Sequence, residues 1–377
     1  MFTHRLSLFR ILGFEVRIDL SWLLIAALVT WSLAAGYFPT SLPGLDTRTY
    51  WTLGILGMAG LFLSLIIHEF SHSIVARMGG MKIEGITLFL FGGVAEMKDE
   101  PPSALTELVM AAAGPAASLA LAFLFWAVAA VTGPALIGEP VAALLLYLAT
   151  INLVLALFNL VPAFPLDGGR MLRAWLWMRS GDIRKATRVA AGIGDAFGVF
   201  LVVVGIFNAF TGNVIGGLWL VLIGFFVRAA AAGAHQNVEM KTALSAGTVA
   251  DFMTPDPVTV EAGLTLDTLV DRHILGQHHG AFPVLRDGRL VGLVESRQAG
   301  AVAREDWPRT RVADIMAPVS AENSAAPGDG AWEALQKMQS TRARRLLVVE
   351  RGRLAGLVSL SDIARYLMLK AEVGDVS

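Results

Sequence analysis

His68, Glu69 and His72 stand within five residues of one another in the stretch LFLSLIIHEFSHSIVARMGG, residues 61–80. On a helix, residues four apart share one face a turn apart, so both imidazoles can offer a nitrogen to one zinc ion. Glu69 sits about 100° around that helix from His68, beside the metal position, where a carboxylate can act as general base toward water. A second polar stretch, NLVPAFPLDGGRML at residues 159–172, carries Asp167. There Pro162 and Pro165 break a helix, and Gly168 and Gly169 permit a tight return. Both stretches interrupt strongly apolar surroundings. A charged side chain at bilayer depth costs roughly 2.5–3.5 kcal/mol on insertion scales, so its presence there marks a functional site.

The elements that must position these residues are membrane helices. Of 377 residues, 55% are hydrophobic and 16% charged, against about 45–50% apolar and about 25% charged in a soluble chain. The net charge of −1, without Arg/Lys blocks, argues against a nucleic-acid partner. The absence of cysteine excludes disulfides and a Cys-ligated metal. Six spans are long and apolar enough to cross a bilayer: 20–37, 51–75, 105–131, 141–162, 194–210 and 214–232. The N-terminal MFTHRLSLFRILGF is basic but lacks a small-residue cleavage site, and is expected to be a retained flank of the first helix.

Charge orients the spans. Arg5, Arg10 and Arg17 precede the first span, and Arg77, Lys82 and Lys98 follow the second. Arg170, Arg173, Arg179, Arg184, Lys185 and Arg188 follow the fourth, and Arg228 ends the sixth, while the opposite loops hold only Arg48. This bias places both termini in the cytoplasm of a multi-pass cell-membrane protein. Spans two and four then run the same way, and His68 and Asp167 lie at about the same depth near the cytoplasmic side. A catalytic zinc takes three protein ligands and keeps one position open, and Asp167 is placed to be the third. Irregular backbone at that depth is tolerated only inside protein or along a wet cavity. Asn159 either binds exposed substrate backbone or caps a helix, and Asn152 reads as an interhelical hydrogen bond.

After Gly233 the pattern turns soluble and repeats itself. VADFMTP at 249–255 recurs as VADIMAP at 312–318, and DGRLVGLVESRQ at 287–298 recurs as RGRLAGLVSLSD at 351–362, offsets of 63 and 64 residues. Each half reads strand, helix, strand, turn, strand, helix, with Asp-Gly and Arg-Gly at the hairpin turns. The tail resembles a tandem pair of cystathionine-β-synthase (CBS) domains, a soluble α/β module. The expected organisation is a transmembrane domain at 1–233, a linker at 234–247, and CBS domains at 248–304 and 309–370.

HEFSH in an apolar span, followed about 90 residues later by NLVPAFPLDGGR, resembles the site-2 protease family of intramembrane zinc metalloproteases, over roughly residues 11–228. The resemblance implies that His68, His72 and Asp167 bind one zinc ion and that Glu69 is the catalytic acid/base. FLFGGVAEM, residues 89–97, is similar to the family's membrane-associated β-hairpin, whose edge at Gly92 and Gly93 would pair with unwound substrate. AAAGPAASLA, residues 111–120, is similar to its Gly-Pro helix motif. The family often has Asn where this chain has Ser118, which leaves no polar role expected there.

The implied function is regulated intramembrane proteolysis of single-span, membrane-anchored substrates in the lipid bilayer. The tail would regulate it. Nucleotide-binding CBS pairs carry Gly, then Ser or Thr, then Asp, which here are Gly356, Ser359 and Asp362, a site for an adenine nucleotide. The first repeat has Gly292, Glu295 and Gln298 instead, and a carboxylate there disfavours an anionic ligand. Without ligand, the module would instead be structural, or join two chains as a homodimer. The competing reading of the whole chain is a CBS-regulated ion transporter or channel, since intramembrane polar residues fit either.

The charge bias generates a direct test. In this cysteine-free chain, a single cysteine introduced at Ser377 should resist an impermeant thiol reagent applied to intact cells and react once the membrane is opened. Labelling from outside would reverse the orientation.

Overall fold

Residues 5–11, 14–81, 83–89, 92–97, 101–245, 247–341 and 343–374 are described by the computed structural model; Lys82, Lys98 and Ser377 lie outside them. The chain divides into two units, Met1–Asn237 and Val238–Ser377. In the first, strands β1 (Arg5–Ile11) and β2 (Phe14–Asp19) lead into helix α1 (Leu20–Ser32), which continues through a π-helical stretch, Leu33–Tyr37, and a last turn, Phe38–Ser41. Then come α2 (Thr47–Met78), strands β3 (Ile83–Phe89) and β4 (Gly92–Met97), α3 (Ala104–Ile137), α4 (Glu139–Asn159), α5 (Asp167–Ser180), α6 (Ile183–Phe210) and α7 (Val214–Leu244). Among the described residues, six helices have the length and apolarity to cross a bilayer, all of these except α5. Leu63, Phe123, Phe200 and Phe207 are exposed on them, which suits contact with lipid.

Most of the helices run past the expected apolar spans because polar caps satisfy their first N–H groups. The carboxylate of Asp46 accepts from the N–H of Thr49 at 2.9 Å at the start of α2, and Asp182 accepts from Arg184 and Lys185 at the start of α6. Span four differs the other way. Helix α4 stops at Asn159, short of Pro162, because proline supplies no N–H and disfavours helix at the residue before it. Asn152, buried on α4, donates to the Ser64 hydroxyl of α2 at 3.0 Å, a bond between helices.

The expected hairpin is half of a larger sheet. Four strands lie in the order β1-β2-β3-β4, antiparallel except for the parallel central pair β2–β3. The N-terminal stretch read as a helix flank therefore forms strands instead. A parallel pair needs a long crossover, and α1 with α2 provides it. Along β2 every second residue is buried, Phe14, Val16 and Ile18, the period of a strand with one covered face. Val16 and Ile18 pack with Ile66 and Phe62 of α2, and the Phe14 ring meets Phe70 edge-on at 5.5 Å. Strands β3 and β4 also contact α2, so the sheet is docked on the helix that carries the histidines.

In the second unit, α7 remains helical through Leu244 across most of the expected linker, and Leu244 is buried in the unit's core. Two four-stranded sheets follow. One is β6 (Val260–Glu261), β7 (Ala281–Arg286), β8 (Arg289–Glu295) and β9 (Ala317–Pro318); the other is β10 (Ser324–Ala325), β11 (Arg345–Glu350), β12 (Arg353–Ser359) and β5 (Thr254–Pro255). Each repeat thus lends its opening motif to its partner's sheet: β5 pairs with β12, and β9 with β8. The burial agrees, since Phe252 joins the core with Leu346, Val348 and Val358, while Met316 packs against Phe282 and Val294. The two motifs play equivalent parts: Val249, Phe252 and Met253 pack in one core, and Val312, Ile315 and Met316 in the other.

This exchange fixes Gly356. A Cβ there would stand 2.7 Å from the sulfur of Met253 and 2.9 Å from the carbonyl of Thr254. Overpacking of this kind costs about 2 kcal/mol. Gly356→Val should therefore speed amide hydrogen exchange across 249–255 and lower the tail's melting temperature; unchanged exchange would contradict the strand exchange.

Candidate metal centre

Helix α2 buries His68 and His72 one turn apart, and both Nε2 atoms point at one carboxylate oxygen. Asp167 Oδ2 is 3.1 Å from His68 Nε2 and 3.2 Å from His72 Nε2, and the two nitrogens are 3.2 Å apart. Among the described residues these three form the cluster able to hold a metal ion.

The far side of each ring decides what the near side can do. His72 Nδ1 is 2.7 Å from the carbonyl oxygen of Met110. A carbonyl only accepts, so Nδ1 carries the hydrogen and Nε2 keeps its lone pair. His68 Nδ1 is 2.9 Å from the Ser118 hydroxyl, which can take a hydrogen in the same sense. Both partners come from α3. Hydrogen bonds of this kind orient metal-binding imidazoles and select their tautomer.

With the Ser118 hydroxyl accepting from His68 Nδ1 as Met110 does from His72, the three inner atoms are all acceptors, with no donor between them. Such a triangle is repulsive in a low-dielectric interior unless a cation lies inside it. Ligands at zinc distances, about 2.0–2.1 Å, stand roughly 3.3 Å apart in a tetrahedron, close to the separations found. The residues present fit zinc.

Helix α3 also supplies the floor. A Cβ at Gly114 would overlap His72 Nε2 and stand 2.6 Å from His68 Nε2, so any other residue would fill the metal position. Glu107, Met110, Gly114 and Ser118 recur at helical spacing along one buried face of α3.

Asp167 is delivered by the break after α4. Its position opens α5, where Gly168 and Gly169 tuck beneath the preceding loop: a Cβ on Gly168 would overlap the carbonyl of Leu160, and one on Gly169 the N–H of Phe164. One turn on, α5 meets Glu107, which is fully buried. Glu107 Oε1 accepts from Arg173 Nε at 2.8 Å and from a second nitrogen of the same guanidinium. Arg170 Nε lies 4.0 Å away.

The other expected residues fall at graded distances from this centre. Glu69 is adjacent on α2, half-buried, within the electrostatic reach of His68, His72 and Asp167. Asn159 lies outside the cluster at the end of α4, its amide donating to Leu155 O within its own helix at 3.0 Å. Gly92 and Gly93 open β4, opposite Phe89 and Leu88, and β4 forms the sheet edge beside α2.

In the tail, Ser359 and Asp362 are bonded to each other: Asp362 Oδ2 accepts from the Ser359 hydroxyl at 2.6 Å and from its N–H at 2.9 Å. Gly356 precedes them on β12, facing β5. At the matching place in the first repeat, Glu295 Oε1 is 3.8 Å from Arg345 Nη1, contributed by the second repeat. That carboxylate has an internal cation.

Three residues at the centre escaped the reading of the sequence. Ser118, from which no polar role was expected, touches His68 through its hydroxyl. Arg173 counted only toward orientation. Glu107 carried a signal: it is the single charged residue of Ala104–Ile137, two turns before Gly114.

Peptidase family M50 matches residues 56–143 and 132–205, and the CBS domain matches 249–298 and 305–369. Rip3 of Mycobacterium tuberculosis, named as a candidate zinc metalloprotease, is 38% identical over 360 residues, 95% of this chain and 91% of its own. A zinc metalloprotease of Methanocaldococcus jannaschii is 31% identical over 376 residues, 99% of each chain. The solved site-2 protease from the same organism is 31% identical and covers 62% of this chain and 95% of its own, with a TM-score of 0.43.

Gly114→Ala should leave the fold intact and remove the metal. Purified variant should melt within a few degrees of the metal-free wild type yet retain under a tenth of its zinc by elemental analysis. Full zinc content would mean that the metal lies elsewhere.

Proposed function

The chain belongs to peptidase family M50, and we propose that it is an intramembrane zinc endopeptidase that cuts the spanning segments of single-span membrane proteins. The observation that carries this reading is the buried triangle of His68 Nε2, His72 Nε2 and Asp167 Oδ2, with separations of 3.1–3.2 Å. These three side chains hold the zinc. Bound there, zinc supplies Lewis acidity, which favours loss of a proton from water and polarises a peptide carbonyl. Glu69 takes the proton of the attacking water and returns it to the leaving nitrogen. The family membership removes the basis for the transporter reading.

A helical substrate hides its carbonyls in its own hydrogen bonds, so it must unwind before it is cut. The unwound segment would exchange those bonds for others on the enzyme, because unpaired backbone groups are costly in a bilayer. The edge of β4 offers them by strand addition, with Gly92 and Gly93 allowing close approach of the main chain. Asn159 would bind the same segment if its amide leaves Leu155 O, and otherwise closes the end of α4.

The tail lies in the cytoplasm with both termini and adjusts the rate. An adenine nucleotide at Gly356, Ser359 and Asp362 would do so by binding the open and closed enzyme with different affinity. The Glu295–Arg345 pair supports one such site per chain rather than two. The same module can pair two chains as a homodimer.

Glu69→Ala separates chemistry from metal binding. Comparison of membrane-peptide fragments from cells carrying wild type or variant should show cleavage reduced by about 10²–10⁴-fold, with zinc content unchanged. Cleavage at the wild-type rate would overturn the protease reading.

A further inference from the structure

We propose that Glu107 is a positioning residue for the metal centre: it ties α5 to α3 through Arg173 and holds the charge of Arg170 away from Asp167 and Glu69. The inference rests on the zinc reading above and deepens it.

The geometry is that of a lever. Asp167, Arg170 and Arg173 are spaced three residues apart on the first two turns of α5, so the ligand and both arginines move as one body. Helix α3 holds that body at Glu107 and holds the imidazoles at Met110 and Ser118. Two elements that never touch in sequence are thus referenced to one face of α3, and the three inner ligands meet over Gly114.

Charge is the second half. Glu107 is fully buried, and among the described residues Oε2 finds no hydrogen-bond partner while Oε1 carries the Arg173 bonds. Two guanidiniums share one carboxylate: Arg173 directly, and Arg170 with its Nε at 4.0 Å. Asp167 and Glu69 also lie within electrostatic reach of Arg170. Remove the charge of Glu107 and the partly buried Arg170 is left to turn to them. An Asp167 engaged by a guanidinium is a poorer metal ligand, and a Glu69 so engaged is a poorer base. A cap or a packing contact would need no charge, and α5 already begins behind a Gly-Gly tuck that fixes its backbone.

The test compares zinc affinity of the full chain in detergent, by competition with a chromophoric chelator, for wild type, H72A, E107Q and the double variant E107Q/R170Q. Melting of each metal-free protein reports folding. E107Q should weaken zinc binding by about 10–100-fold, and removing the stray cation in E107Q/R170Q should restore most of that loss. Rescue by deleting a second charged group is something a packing role would not produce. R173K keeps a cation beside Glu107 but not the paired guanidinium bonds, so it should lose zinc affinity by less than about tenfold; a loss as large as that of H72A would overturn the charge account even where E107Q fails to fold. If H72A loses zinc while E107Q binds as wild type does, the positioning role is wrong and the metal assignment stands. If E107Q is weak and the double variant is no better, the charge account is wrong. If H72A itself binds zinc normally, the metal assignment has failed first.

Discussion

Three lone pairs directed at one point inside a membrane protein repel one another, and the rest of the first unit can be understood as what holds them there. The three atoms lie 3.1–3.2 Å from one another, and each side chain is held from outside the triangle. Met110 and Ser118 hold the outer nitrogens of the imidazoles, and the Gly-Gly tuck with the Glu107–Arg173 pair holds the helix that carries Asp167. Ligands kept in place before the metal arrives lose little entropy on binding it.

Helix α3 is the element on which this depends. It contributes no metal ligand, yet its buried face supplies a carbonyl acceptor, a hydroxyl, a carboxylate and the one position without a side chain. The sheet plays the complementary part on the other flank of α2. Phe14 sits against Phe70, within the HEFSH motif, and beneath the Arg77 guanidinium at 3.7 Å. The sheet, the metal-binding histidines and Glu69 are therefore all referenced to α2. In the tail, the exchanged strands β5 and β9 make each half's core depend on the other half's motif, so neither repeat can loosen alone.

Much of this was legible in the sequence because its strongest signals are local. The pair His68 and His72 needs only the helical period, and the break around Asp167 only two prolines in an apolar span. What was not legible depends on long-range pairing. Nothing around Arg5–Ile11 announces a hairpin with β2, nor anything in Glu15–Ile18 a partner strand seventy residues away in β3. The exchange of β5 and β9 hides behind two motifs alike enough to be read as units of their own repeats. Ser118 lay fifty residues from the histidine it touches, and family likeness pointed away from it. Glu107 shows the intermediate case: its isolation in an apolar helix flagged it, but its partner could be found only once α5 was placed.

The central claim is that this buried triangle is the zinc site. X-ray absorption at the zinc edge of the purified, singly loaded protein tests it most directly. The account predicts a first shell of nitrogen and oxygen at about 2.0–2.1 Å, with multiple scattering from two imidazoles, falling to one in a variant lacking either histidine. A shell with three or more imidazoles, or a spectrum unmoved by loss of His68 or His72, would contradict it.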